Sequence, residues 1–373
     1  MKNEQQVKQW DKELEKLLKE SGLEGSPIEV IHQKIEVEFE SRLNIGLFGA
    51  PGVGKSTLMN KLAGENIADA GVKPGISVSE LVWGENDSIS FFDLPGFGGL
   101  PEDHSPDEYW EKYKVEDLDL LICMFDTKLR KNDEVFFFQK ALESGLKVIF
   151  VRSKSDSLYD PELEIDELKK QVKLEYIDKV FGEHHKLIFI SSKDNKGLDE
   201  LQNEISNNLD AHMRDKYYRN AKGYSDSFLG FKRKASIKTI LFYSTLSAGA
   251  NINPATGIAL DIPNTIAMVK ALAKNFNLSK KRLEALERET TSSVKDYQLI
   301  INLITKAGTE AFKNLAAKEG SKDIIKKVAG FHFVAGAGIG FTTTFYFGMK
   351  TLAECVELAS DLNEFELNRR YSS

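Results

Sequence analysis

Lys55 and Ser56 end the run Gly49-Ala50-Pro51-Gly52-Val53-Gly54-Lys55-Ser56, which has the form G-x-x-x-x-G-K-S and is followed by Thr57. Glycines let a backbone fold around an anion with its N–H groups turned inward. A helix starting at such a loop adds partial positive charge. A lysine placed here reaches the β- and γ-phosphates of a nucleotide, and the hydroxyl of the next serine holds Mg2+. The chemistry on offer is binding of a nucleoside triphosphate through Gly49, Pro51, Gly52, Val53, Gly54, Lys55, Ser56 and Thr57.

Four further stretches carry residues of matching chemistry. Asp93-Leu94-Pro95-Gly96 is a D-x-x-G motif. Asp93 there would hold Mg2+ through a water, and the Gly96 N–H would sense a γ-phosphate. The segment Ala70–Ser79 reads as a loop in which a hydroxyl would complete the metal site. Ser77 is the candidate and Ser79 the alternative, where a threonine is usual. Arg152-Ser153-Lys154-Ser155-Asp156 has the pattern of a guanine-reading N/T-K-x-D loop with serine at its first position. Asp156 would accept from guanine N1–H and the 2-amino group, a donor pair that adenine lacks, while the stem of Lys154 covers the base. Ser153 is expected to weaken the bracing that Asn or Thr gives this loop. Ser191-Ser192-Lys193 is similar to the S-A-K loop that contacts guanine O6 through its backbone. Together these read as a guanine-nucleotide site. Phe97 follows Gly96, so the glutamine that orients the attacking water in small GTPases is missing there.

Each motif needs an element to hold it. Apolar runs predict strands at Asn44–Phe48, Ile89–Phe92, Leu118–Phe125, Leu146–Val151 and Leu187–Ile190, each ending at a motif or at the charged segment Asp126–Asp133. Thr57–Leu62 predicts a helix after the glycine loop. Gly197 to about Tyr218 predicts one closing amphipathic helix. Two leading helices, Glu4–Ser21 and Ile28–Arg42, carry apolar residues at helical spacing and are expected to pack against the far end of the chain. Beyond the nucleotide region helical runs dominate, at about Ser236–Gly249, Gly257–Phe276, Ser279–Thr290, Ser293–Ala316 and Lys322–Ser360. The expected fold class is α/β, a Ras-like P-loop GTPase domain plus an all-α helical domain formed from both terminal segments. The expected boundaries are 1–42, 43–220 and 221–373.

Composition sets outer bounds. With 373 residues, 41% hydrophobic and 29% charged, the chain suits a globular protein of about two domains. A net charge of −7 argues against general nucleic-acid binding. Two cysteines, Cys123 and Cys355, imply no disulfide framework and fit a reducing, cytoplasmic setting. The start Met1-Lys2 lacks both an apolar signal core and the glycine that myristoylation needs. The basic stretch Arg214, Lys216, Arg219, Lys222, Lys232, Arg233, Lys234 and Lys238 reads either as a lipid-facing patch or as a solvated linker. Val328–Phe347 reads as a buried helix packed through small residues, with a membrane span as the alternative.

These segments resemble the immunity-related GTPases, the interferon-inducible dynamin-like family, from about Asn44 to Glu366. Phe91-Phe92-Asp93-Leu94-Pro95-Gly96 is similar to the family's third motif. Lys128-Leu129-Arg130-Lys131-Asn132-Asp133 is similar to its R-F-K-K-N-D, and Phe150–Asp156 to its F-V-R-T-K-V-D. Ala259–Pro263, Phe276-Asn277-Leu278 and Thr342–Phe347 resemble segments of its helical domain. The resemblance implies a GTPase using GTP/GDP and Mg2+, with GTP-dependent homo-oligomerisation through facing nucleotide domains. Lys128, Arg130, Lys131 and Asp133 would then lie at or near that contact, and Lys55, Ser77 and Gly96 would serve hydrolysis. It also implies peripheral action on intracellular membranes in cell-autonomous defence. Two departures stand out: Pro74–Gly75 offers no carboxylate where some members carry a switch-loop glutamate, and Ser77 replaces a threonine. A GTP-holding regulatory protein with negligible hydrolysis is the alternative function.

Overall fold

The computed structural model describes residues 2–68, 79–84, 88–96, 106–126, 131–248, 262–289 and 338–371. The chain divides into two compact units, Met1–Ser41 with Asp226–Ser373, and Arg42–Ser225.

The first unit opens with α1 (Lys2–Glu20) and α2 (Ile28–Glu40). Both are amphipathic: Trp10, Leu14 and Leu18 of α1 and Ile31, Ile35 and Phe39 of α2 are buried.

The second unit carries the sheet. In chain order it contains β1 (Leu43–Gly49), α3 (Lys55–Ala63), β2 (Ser79–Trp83), β3 (Ile89–Pro95) and α4 (Pro106–Lys112). Then come β4 (Leu120–Phe125), α5 (Lys131–Glu143), β5 (Lys147–Arg152), α6 (Ile165–Lys173), a π-helical turn at Leu174–Asp178 and the short α7 (Lys179–Phe181). β6 (Leu187–Phe189), α8 (Leu198–Asn208) and α9 (Ala211–Asn220) complete it. The strands form a six-stranded sheet in the order β2-β3-β1-β4-β5-β6. All neighbours are parallel except the β2–β3 pair, which is antiparallel. β4 is buried at every position, as a central strand covered on both faces must be. An aromatic cluster of Phe48, Tyr109, Phe137, Phe138 and Phe150 fills one face.

The predicted strands all form, extended or trimmed at their ends. β2 has no counterpart in the sequence reading, which runs a loop up to Ser79. One closing helix was expected at Gly197–Tyr218; two form. The break lies at Leu209–Asp210, where the Asp210 carboxylate accepts the Met213 N–H and starts a new helix.

The first unit resumes with α10 (Asp226–Leu246), α11 (Ile262–Asn275), α12 (Lys280–Glu289) and α13 (Ile339–Tyr371). The two leading helices share one core with these four. Trp10 meets Tyr346 edge-on at 5.7 Å, and Phe39 lies 5.2 Å from Phe242. Arg233 of α10 grips Glu13 with two hydrogen bonds of 2.9 and 3.2 Å, and Lys238 reaches Glu38 at 2.8 Å. Most of the basic stretch is therefore neither solvated linker nor lipid-facing surface, although Lys234 is exposed. Lys216, Arg219, Lys222, Lys232 and Lys238 are buried. Helical periodicity turns these long stems inward, where a run of charges read along the chain suggests an exposed surface. Of Val328–Phe347 only the end is described: Phe341, Phe345, Tyr346 and Phe347 are buried in the helical core. No described helix is long and apolar enough to cross a membrane. The helical run expected at Ser293–Ala316 lies outside the described residues.

Candidate nucleotide site

The glycine loop leaves β1 at Gly49 and enters α3 at Lys55. A Cβ at Gly49 would stand 2.4 Å from the Met124 carbonyl oxygen, so only glycine lets the loop pass β4 so closely. Gly52 and Gly54 have φ of +79° and +103°, the left-handed turns that bend the loop back on itself. Gly54 is the N-cap of α3 and offers no side-chain acceptor. The first N–H groups of α3 thus have no side-chain cap, the arrangement that suits an anion.

Lys55 Nζ donates to the Gly49 carbonyl at 2.8 Å and lies 3.5 Å from Asp93 Oδ1 at the end of β3. The two motifs therefore converge. Register explains it, since β1 and β3 run parallel with Gly49 beside Pro95 and Leu47 beside Asp93. Gly96 lies against the start of the loop, where a Cβ would come 2.9 Å from Gly49 O and 3.0 Å from the Ala50 Cα. Ser56 and Asp93 offer hard oxygen ligands of the kind Mg2+ takes, and the open positive-φ glycines leave space for phosphate oxygens. The residues present fit a magnesium nucleotide.

The base-reading loop follows β5. Ser153 is buried, and its hydroxyl donates to the Val53 carbonyl at 2.8 Å, with a second, longer approach to Phe125 O at 3.3 Å. Ser153 thus does brace this loop against the glycine loop, through its hydroxyl and the buried Val53. Lys154 takes the left-handed conformation, φ +51°, and its Nζ is 2.8 Å from Asp126 Oδ2 at the end of β4. Arg152 is buried and donates to the Ser153 carbonyl. Burial lowers its pKa, and the nearby Asp126 and Tyr176 counter this. Asp156 sits exposed in the 3-10 turn after Lys154.

The Ser191–Lys193 loop follows β6 and is held beside the base-reading loop by the Ser155 N–H to Ile190 O bond of 2.9 Å. Ser191 is buried, accepts the Asp194 N–H at 3.2 Å, and bridges to Lys196. Lys61 of α3 reaches over to Asn195 at 2.9 Å. Gly197 ends the loop with φ +72°, where a Cβ would fall 2.0 Å from Phe189 O.

The glycine loop with Lys55 and Ser56, Asp93, Gly96, Lys154, Asp156 and Ser191 to Lys193 thus stand at the loop ends of β1, β3, β5 and β6, with the P-loop helix between. This is the rim where open α/β sheets take ligands. Ser77, Lys128 and Arg130 lie outside the described residues. Lys131 and Asp133 fall in the first turn of α5. Sequence reasoning missed Asp126 and Tyr109. The acid at the strand end was visible as charge, but its pairing with Lys154 needed the parallel register of Phe125 with Arg152.

Sheet, loop and converging motifs define a P-loop GTPase, a protein that binds GTP. The chain belongs to the interferon-inducible GTPase (IIGP) family, whose profile it matches over residues 8–348. It is similar to T-cell-specific guanine nucleotide triphosphate-binding protein 2 of Mus musculus, with 25% identity over 289 residues, covering 72% of this chain and 68% of that protein. A probable GTP-binding protein EngB of Thermosipho africanus is 31% identical over 163 residues, 41% of this chain and 79% of that one. Among solved structures, an Era variant from Aquifex aeolicus bound to GDP and AlF4− is similar, with 20% identity and a TM-score of 0.35 over 56% of this chain and 68% of that chain. Toc33 from Arabidopsis thaliana with GDP and Mg2+ gives 14% identity and a TM-score of 0.31 over 43% of this chain and 75% of that chain.

Proposed function

We propose that this chain hydrolyses GTP to GDP and phosphate and that its nucleotide units pair with each other when GTP is bound. The observation that carries the reading is the meeting of Lys55, Asp93 and Gly96 at one point beside the glycine loop. Lys55 trades its bonds to Gly49 O and Asp93 for phosphate oxygens. The loop amides and the Gly96 N–H hold charge that spreads over the γ-phosphate as water attacks. Ser56, Ser77 and Asp93 would hold Mg2+, which would supply charge neutralisation at the phosphates. Asp156 reads the guanine edge, with the stem of Lys154 covering the base and the backbone of Ser191–Lys193 facing O6.

Phe97 has no group to orient water. Turnover by a lone molecule is therefore slow, and a second copy completes the site through the segment carrying Lys128, Arg130, Lys131 and Asp133. The family membership supports peripheral work on intracellular membranes in cell-autonomous defence, with the chain cytoplasmic. The same Phe97 favours the second reading, a GTP-holding regulator that hydrolyses almost nothing. GTP turnover per molecule, measured over a wide range of protein concentration with Lys55→Ala as control, separates the two. A rise with concentration, absent in the control, supports the assembling enzyme. A flat, very slow rate with GTP still bound supports the regulator.

A further inference from the structure

Tyr109 of α4 is fully buried, yet its hydroxyl is not idle. It donates to the Pro95 carbonyl at 2.8 Å, the last peptide before Gly96. Its ring meets Phe48 edge-on at 5.8 Å and Phe137 at 5.3 Å. Phe48 immediately precedes Gly49 and pairs with Leu94 in the β1–β3 register. One side chain thus touches the last strand residues before both phosphate-facing glycines. Burial pushes the hydroxyl's pKa up, with Tyr113, Asp93 and Cys123 adding to it, so the group stays a proton donor at every physiological pH.

The position of the Gly96 backbone has little slack. Its Cβ direction is blocked by Gly49 O and the Ala50 Cα on one side, and its preceding carbonyl is held by Tyr109 on the other. A peptide fixed at both ends presents its N–H in one direction. GDP has no γ-phosphate to meet that N–H, whereas GTP does.

We propose that Tyr109 is a positioning residue that sets the Pro95–Gly96 peptide for the γ-phosphate, and so fixes the preference of this site for triphosphate over diphosphate. The proposal rests on the nucleotide-site reading given above. It places the determinant of nucleotide state in a helix outside the glycine loop and the base-reading motifs. α4 is in turn tied to α5, because Lys140 pairs with Asp107 and lies over the Trp110 ring at 5.3 Å.

The neighbouring Tyr113 supplies the control. Its ring lies 4.4 Å from that of Tyr109, and its hydroxyl is buried with no hydrogen-bond partner among the described residues. Tyr109→Phe and Tyr113→Phe remove the same atom from the same aromatic cluster, and only the first removes a bond to Pro95. In the full chain, GDP and a non-hydrolysable GTP analogue are titrated against each variant. Tyr109→Phe is expected to lower the ratio of triphosphate to diphosphate affinity about fivefold, one lost hydrogen bond's worth, with GDP affinity unmoved. Tyr113→Phe is expected to keep the wild-type ratio. An unchanged ratio in Tyr109→Phe overturns the proposal, as does an equal loss of both nucleotides or the same shift in Tyr113→Phe. Wild-type protein that binds neither nucleotide overturns the site reading and the proposal with it.

A second measurement needs no loss of the hydroxyl. In the full chain carrying 3-fluorotyrosine at position 109 alone, the Tyr109 resonance is expected to move when GDP is exchanged for the triphosphate analogue. A resonance indifferent to the exchange overturns the proposal even if Tyr109→Phe does not fold.

Discussion

The hydroxyl of Ser153 donates to the carbonyl of Val53 across 2.8 Å, joining the Arg152–Asp156 loop to the glycine loop. The two residues are a hundred positions apart in sequence, and both are buried. The bond ties the two halves of the candidate nucleotide site to each other.

Removing it should loosen both halves together. Ser153→Ala leaves the Val53 carbonyl without this donor at a cost of about 1–2 kcal/mol, or roughly five- to thirtyfold in GDP affinity. Ser153→Thr keeps the hydroxyl and should restore most of it. Stopped-flow release of a fluorescent GDP analogue gives the answer, and an alanine variant that releases nucleotide at the wild-type rate would sink the idea.

Asp126 should matter to the lysine over the base. Its pairing with Lys154 Nζ at 2.8 Å anchors the stem, but Lys154 is half exposed, so the gain is limited by solvent screening. Asp126→Asn is expected to speed nucleotide release about threefold at low salt, with the difference fading as ionic strength rises. Asp126→Glu should recover part of the effect. Faster release that ignores salt would contradict a charge-based anchor.

Gly197→Ala is a stability prediction. The residue sits at φ +72°, and a new Cβ would meet the Phe189 carbonyl oxygen at 2.0 Å. Left-handed strain and a clash with fixed backbone together should cost about 3 kcal/mol or more. Denaturant titration of the full chain reads this directly, and a midpoint equal to wild type would show that the Ser191–Gly197 loop yields easily.

His185 should give the nucleotide unit an acid sensitivity. Burial lowers its pKa, with His184 and Lys173 adding to the shift. The unfolded chain therefore binds more protons than the folded one below the ordinary histidine pKa, and stability rises with pH through that window. The contribution is complete above about pH 6.5 and is lost as pH falls toward the lowered folded value. His185→Asn should flatten that part of the stability–pH curve. Equal slopes for variant and wild type between neutral and mildly acid pH would exclude the role.

The phosphate-facing half of the site was legible in the sequence. Its parts are contiguous motifs, and the apolar runs Asn44–Phe48 and Leu118–Phe125 mark strands. The edge strand β2 was not legible. Glu80 and Val82 are exposed, Trp83 alone of those neighbours is buried, and a sequence stretch rich in Gly, Ser and Pro precedes it. Asp210, an N-cap rather than one more polar residue, was likewise hidden inside a continuous amphipathic pattern. The reach of Ser153 to Val53 was not legible, because residue type gives hydrogen-bonding capacity but not distance. Whether a hydroxyl reaches as far as an amide depends on how closely Val53 approaches, and that is set by the register of strands remote in the chain. The buried lysines failed for a related reason: charge counts are blind to which side of a helix a residue occupies.

The shared core of α1, α2 and α10–α13 has a consequence for biosynthesis. Trp10, Leu14 and Leu18 leave the ribosome well before Tyr346, the ring partner of Trp10, is made. At ordinary elongation rates the gap is on the order of tens of seconds. Once Ser225 is made, the second unit, Arg42–Ser225, has its whole sequence in hand, whereas the apolar stripes of the leading helices still lack the cover of α13. The nascent chain thus carries a completed sheet unit joined to helices whose own core is unfinished. Chaperone demand during synthesis should concentrate on those opening helices rather than on the sheet.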